Sequence, residues 1–283
     1  VATLRDELRQ MIALEGPISL ERYMAACLGH PVHGYYVTRD PFGARGDFTT
    51  APEISQMFGE LIGLWAAELW RLMGSPGQLR LIELGPGRGT LMADVLRAGR
   101  IVPDFLQALS VHLIETSPVL RARQQETLSG GRVQIAWHED FGDLPDGPAI
   151  VIANEFFDAL PITQFVRTEQ GWHERLIGLD ANGQLAFGLA PEPRQELPAS
   201  GNVGDVLEWP ALAVEIVAAI ARRLAAHGGA ALLIDYGYSG PAFGDTLQAM
   251  KGHGFVDPLA DPGDADLTAH VDFARLAEAA RSG

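Results

Sequence analysis

Apolar residues recur every three or four positions in two short runs at the start of the chain. Leu4, Leu8, Met11 and Ile12 form the first, Leu20, Met24 and Cys27 the second, and Gly16-Pro17 separates them. This spacing predicts two amphipathic helices within residues 1–29. Ser19 is placed to cap the second helix, and Arg22 three positions on leaves it without the reciprocal acid of a capping box. Periodicity disappears over 30–54, where glycine, proline and aromatic residues crowd together. An irregular segment of that length in a compact protein is usually a lid or a binding loop. It leads into a strong helical pattern over 55–73, with Met57, Leu61, Trp65, Leu69 and Leu72 on one face and Ser55 placed to cap it.

From residue 79 short apolar runs alternate with helical stretches. Strands are predicted at 79–84, 110–115, 133–136, 149–154 and 230–235, with helices at 90–98, 117–128 and 211–227. Continuous apolar strands separated by helices argue for a mostly parallel sheet covered on both faces, an α/β class. Right-handed crossovers would bring every strand's carboxyl end to one rim, where ligands bind. Over 162–209 the rhythm changes to strict alternation, joined by Gln170-Gly171 and Asn182-Gly183. These are hairpin signals and predict an antiparallel insertion. The chain is therefore divided at residue 75: a helical and lid region over 1–75, and a sheet domain over 76–283 that carries the insertion.

Composition narrows the functional classes. The 283 residues are 47% hydrophobic and 20% charged, an ordinary globular balance. No apolar run approaches the ~18–20 residues that span a bilayer. The start, Val1-Ala2-Thr3-Leu4-Arg5-Asp6, has neither the basic end nor the apolar core of a signal peptide, and without an initiator methionine a removed leader stays open. Cys27 is the sole cysteine, so neither an internal disulfide nor a thiolate metal cluster is expected. His30 and His33 have a metal-like spacing but no evident carboxylate or thiolate partner nearby in sequence, so no metal is expected. A net charge of −15 argues against nucleic acid, whose phosphates call for a basic footprint.

The candidate chemistry begins at Glu83-Leu84-Gly85-Pro86-Gly87-Arg88-Gly89-Thr90, a buried-strand pattern running through glycines into a helix. Gly85, Gly87 and Gly89 remove side chains where the backbone bends and approaches a ligand. A dinucleotide fingerprint needs glycine at the sixth position, where Thr90 stands. The acidic-x-Gly-x-Gly-x-Gly form suits instead the amino-acid end of S-adenosylmethionine, which has no pyrophosphate. Glu115, at the end of the next strand, is placed to accept from both ribose hydroxyls. Asp140 and Phe141, after the third strand, are placed for the adenine amino group and ring.

With their neighbours these residues resemble the MidA-like family of S-adenosylmethionine-dependent methyltransferases, which includes the mitochondrial complex I assembly methyltransferase. The resemblance rests on Gly34-Tyr35-Tyr36, residues 39–43, the string 46–60, residues 83–90, Asn154-Glu155-Phe156-Phe157-Asp158-Ala159-Leu160-Pro161, Asp235-Tyr236-Gly237-Tyr238 and residues 266–273. It implies a class I (Rossmann-like) methyltransferase fold. It also implies methylation of arginine on a protein substrate such as a respiratory complex I subunit, with a cytoplasmic location if bacterial and a mitochondrial one in eukaryotic relatives. A fold of this class ends with a helix and an antiparallel strand pair; the chain stops at a segment read as that helix, so a missing C-terminal portion is expected.

Methyl transfer to nitrogen depends on positioning and desolvation. Glu155 and Asp158, after the fourth strand, are the candidates for gripping a guanidinium, with Asn154 as a carbonyl acceptor and Phe156 or Phe157 as a cation–π face. The 46–59 string is expected over the cofactor, with the Thr49 and Thr50 hydroxyls facing it, and Asp235 is expected along the acceptor channel. Two other readings stay open: a non-catalytic assembly module with the same fold, and a small-molecule methyltransferase.

Overall fold

The computed structural model describes residues 2–38, 50–131, 133–240 and 242–283. They fall into two compact units. One collects the described residues within 1–38, 157–215 and 236–277, the other those within 39–156, 216–235 and 278–283. The expected lid residue Thr49, and Arg39–Phe48 with it, lie outside the described residues.

The second unit is built on a five-stranded parallel sheet in the order Gly229–Ile234, Ala149–Asn154, Leu79–Leu84, Leu109–Ile114, Gln134–His138. Leu79, Leu81, Ile82, Val111, Leu113, Ile150, Val151 and Ile152 are fully buried. That is why these strands are apolar throughout instead of alternating. The first strand in sequence lies at the centre, and successive strands build outward on one side before the fourth starts the other. The chain therefore reverses direction between Leu79–Leu84 and Ala149–Asn154, and ligands bind beyond the carboxyl ends at such a point.

Helices Gln56–Leu72 and Thr90–Gly99 cross closely in this unit. A Cβ on Gly59 would stand 2.5 Å from Asp94 Cβ, and one on Gly63 only 2.8 Å from the Val95 carbonyl oxygen. The helix predicted over 55–73 is preceded by a separate short one, Ala51–Ile54, with Pro52 in its first turn. Ser55 is extended between the two (φ −145°) and takes the cap position of the longer helix, but its side chain makes no capping bond. The expected cap contact is absent.

The first unit carries the antiparallel structure predicted over 162–209. Thr163–Thr168 pairs with Gly171–Leu179, which pairs with Leu185–Leu189, and Val206–Trp209 pairs with Thr163–Thr168. At the Asn182-Gly183 turn the Asp180 carboxylate accepts the Asn182 and Gln184 N–H groups, each at 2.8 Å. The amino-terminal helices Leu4–Glu15 and Leu20–Gly29 share this unit's core: Leu4, Leu8, Leu20, Tyr23 and Met24 are buried with Ile162, Ile177 and Leu267. Spatial grouping thus differs from the linear division at residue 75, because the apolar stripes of these helices are satisfied by the insertion's sheet. Ser19 caps as expected, accepting the Arg22 N–H at 3.1 Å, and Thr3 with Asp6 forms a capping box that the sequence reading did not single out. His30 and His33 stack, and both approach the Glu7 carboxylate, at 3.2 and 3.4 Å. Glu7 is the acidic partner not found in the local sequence, since it comes from the first helix.

Candidate cofactor site

Leu79–Leu84 ends in a turn whose glycines define the site. Gly85, Gly87 and Gly89 take φ of +58°, +53° and +82°, a region that strains any residue with a Cβ. Gly85 is also crowded, since a Cβ there would stand 2.7 Å from Phe156 Cδ2. Gly89 occupies the cap position of helix Thr90–Gly99. Beside the turn lies a cleft with about 400 Å³ of space, part of it open to solvent, lined by Thr50, Pro52, Glu53, Glu83, residues 85–88, Thr90, Leu91, Asn154 and Glu155. It sits at the point where the sheet reverses direction.

Two oxygens in this lining are buried and lack partners among the described residues. Glu83 is 2% exposed, its Oε2 accepts no hydrogen bond, and burial alone pushes its carboxyl up to about 8. Asn154 Oδ1 is likewise buried and unpartnered, while the Asn154 side chain hydrogen-bonds to Glu155. Buried acceptors are nearly always satisfied in native proteins, so the pair calls for a ligand that brings N–H groups. An ammonium group supplies them, and the glycine turn leaves backbone room beside it. The residues therefore fit the amino-acid end of S-adenosylmethionine.

Glu155 follows Asn154 with φ +47°, a conformation that non-glycine residues adopt at some cost and that clusters at functional sites. Burial raises its carboxyl and the Asp235 charge adds to this, while a hydrogen bond from the Ala51 N–H and one with Asn154 oppose it. The Glu155 N–H donates to the Ile234 carbonyl at 2.8 Å. Asp235 Oδ2 accepts the Phe156 N–H at 3.1 Å, so this carboxylate holds the turn after Asn154. Glu53 was not among the residues expected to contact the cofactor. Its carboxylate accepts the Thr90 hydroxyl at 2.5 Å and faces Arg88 at 3.5 Å, tying helix Ala51–Ile54 to the glycine turn. Thr50 caps that short helix without a side-chain bond and lines the cleft.

The lining stops short of four expected cofactor contacts: Gly89, Glu115, Asp140 and Phe141. Glu115 is 8% exposed and accepts from the Ser117 N–H at 2.8 Å and Gln124 Nε2 at 3.0 Å. Burial raises its pKa against these bonds. Asp140 accepts the Gly142 N–H at 2.6 Å and caps the short turn Phe141–Asp143, and Phe141 is half-buried. Asp158 belongs to the antiparallel unit, where its carbonyl accepts the Ala269 N–H at 2.9 Å. Its charge, after burial and the charge of Asp266, helps to raise the pKa of Tyr36.

Comparison with known proteins agrees with this geometry. The family model described as "Putative S-adenosyl-L-methionine-dependent methyltransferase" matches residues 61–283. Mitochondrial protein arginine methyltransferase NDUFAF7 of Danio rerio is 42% identical over 300 residues, which is 97% of this chain and 71% of that protein. The Homo sapiens protein of the same name is 38% identical over 302 residues, covering 98% of this chain and 68% of its own length. A Burkholderia thailandensis protein solved with bound S-adenosylhomocysteine matches with a TM-score of 0.84 at 30% identity, over 99% of this chain and 76% of that one. With a glycine turn and two donor-seeking oxygens at the sheet's reversal point, the chain belongs to this family of S-adenosylmethionine-dependent methyltransferases.

Proposed function

We propose that the chain methylates an arginine side chain of a protein partner, a respiratory complex I subunit being the partner to which the resemblance points. The observation that carries the cofactor half is the pair of unpartnered oxygens, Glu83 Oε2 and Asn154 Oδ1, in one cleft. The relatives, named as protein arginine methyltransferases, support the arginine half. By the same argument the location is cytoplasmic in a bacterial host, the relatives being mitochondrial proteins by name.

When bound, S-adenosylmethionine supplies a methyl group on an electron-poor sulfonium. Glu83 and Asn154 receive its amino group, and Gly85, Gly87 and Gly89 keep the backbone open to its carboxylate. Thr50 roofs the cleft, Glu115 takes the ribose through its remaining lone pairs, and Asp140 with Phe141 meets the adenine end. Of the residues before 75, Thr50, Pro52 and Glu53 supply the lid, and residues after it supply the other cofactor and acceptor contacts. A guanidinium stays charged at any ordinary pH, with a pKa above ~12. Glu155 grips it through paired hydrogen bonds and draws charge to the near nitrogens, leaving the far one more nucleophilic, and Asp158 is the second candidate for this role. Because burial raises its pKa, Glu155 is also the better acceptor for the released proton. To do either it exchanges the Ala51 N–H for the substrate.

Incubation with methyl-labelled S-adenosylmethionine and isolated complex I subunits should place label on an arginine, located by mass spectrometry. Label confined to a metabolite fraction would favour a small-molecule acceptor, and cofactor binding without transfer to any subunit would favour an assembly module. Gly87→Val, which forces a branched Cβ into φ +53°, should abolish cofactor binding in calorimetry.

A further inference from the structure

Gln124 lies on helix Pro118–Thr127, outside every motif discussed above, and it is fully buried. Its Oε1 accepts the Trp137 indole N–H at 2.9 Å. Its Nε2 donates to the Gly87 carbonyl at 2.7 Å and to Glu115 Oε2 at 3.0 Å. An indole nitrogen can only donate and both other partners can only accept, so the carboxamide has one workable orientation. Flipping it would set N–H against N–H at Trp137 and oxygen against two oxygens at the other end. Gly89 packs against the same residue: a Cβ there would stand 3.4 Å from Gln124 Cα.

We propose that Gln124 is a positioning residue that locks the glycine turn and the Glu115 carboxylate into one frame, so that the methionine and ribose ends of the cofactor find their contacts in register. The proposal rests on the cofactor reading above. A trans peptide is planar, with its carbonyl and N–H on opposite sides. Drawing the Gly87 carbonyl towards Gln124 therefore turns the Arg88 N–H to the other side of that peptide, and Gly87 and Arg88 both line the cleft. At Glu115 the same amide supplies a donor to a buried carboxylate, which favours the charged form suited to accepting two hydroxyls. Trp137, on the edge strand Gln134–His138, fixes the amide from behind.

The test is calorimetric titration of the whole chain with S-adenosylhomocysteine, comparing wild type, Gln124→Met, Gln124→Glu and Trp137→Phe at pH 6 and pH 8. Methionine keeps the volume and removes the hydrogen bonds, so affinity should fall about tenfold or more at both values. An ionised glutamate faces the Gly87 and Glu115 oxygens and should bind worse than wild type at pH 8. Protonated at pH 6, it again has a donor for one of them and a carbonyl for Trp137, so its ratio to wild type should recover. Trp137→Phe, which touches neither cofactor-side partner, should cost less than Gln124→Met. If wild type itself fails to bind, the cofactor reading falls. If wild type binds and Gln124→Met binds within twofold of it, the role given to Gln124 is overturned. Should Gln124→Met not fold, absence of recovery in Gln124→Glu at pH 6 overturns it equally.

Discussion

A carboxyl group enclosed at the end of a parallel strand is held towards its neutral form by burial, which pushes Glu83 up to about 8. Between the ordinary value of 4.5 and about 8, the folded protein holds a proton that the unfolded chain has released. Stability of the cofactor-free protein should therefore fall as pH rises across that window and level off above it. Glu83→Gln should remove most of this slope and leave the protein more stable than wild type at pH 9, by on the order of a few kcal/mol. Urea denaturation at pH 5 and pH 9 checks it, and an unchanged slope would count against the assignment. A cationic amino group arriving beside Glu83 reverses the balance. Calorimetry in buffers of different ionisation heat should detect proton release when S-adenosylhomocysteine binds near pH 7. At this scale Glu83 and the three glycines were legible because their spacing repeats a recognisable form. Gln124 was not, although one signal existed: it sits between Leu120 and Leu128 at helical spacing, a polar residue on a buried stripe. Such a residue needs partners from other elements, and no local pattern names them.

The parallel strands were the most legible elements because burial on both faces leaves a continuous apolar run, and the hairpins were legible because their turns demand glycine. Ile18–Ser19 pairs with Leu176 and Ile177 across a long sequence separation, and two residues carry no alternation by which to find it. The short helix Ala51–Ile54 ahead of Ser55 also escaped, since four residues are too few to show a helical period. Closest to the site, the crossing of Gln56–Leu72 over Thr90–Gly99 depends on missing side chains. At Gly63 a Cβ would press on the Val95 carbonyl oxygen at 2.8 Å and the Val95 Cα at 2.9 Å. Backbone of a helix cannot move aside cheaply, so Gly63→Val should cost ~1–3 kcal/mol or more through overpacking. The expected readout is a lower denaturation midpoint with an unchanged slope. A midpoint equal to wild type would mean that the helices are not so tightly apposed.

Neither compact unit is a continuous stretch of sequence; each gathers three segments. Cutting the chain at residue 75 would remove Leu4, Leu8, Leu20 and Tyr23 from one core, and Ile62, Ala66 and Trp70 from the other. A buried leucine or isoleucine is worth about 1.5–3 kcal/mol, against a total stability of about 5–15 kcal/mol for a domain. Residues 76–283 expressed alone should therefore show no cooperative urea transition, whereas the full chain should. A cooperative transition in the fragment would show that the cores tolerate the loss. The sequence exposed the order of elements at this scale but not their grouping, because partnership among distant segments is set by which apolar faces meet. The interleaving also bears on how the protein is made. Ala149–Asn154 acquires one of its two neighbours only from Gly229–Ile234. While the nascent polypeptide emerges, that strand keeps a bare, sticky edge through the synthesis of the entire antiparallel insertion, long enough to pair with the wrong neighbour. Cells producing this protein should thus depend on holdase chaperones during translation more than its final stability alone would suggest.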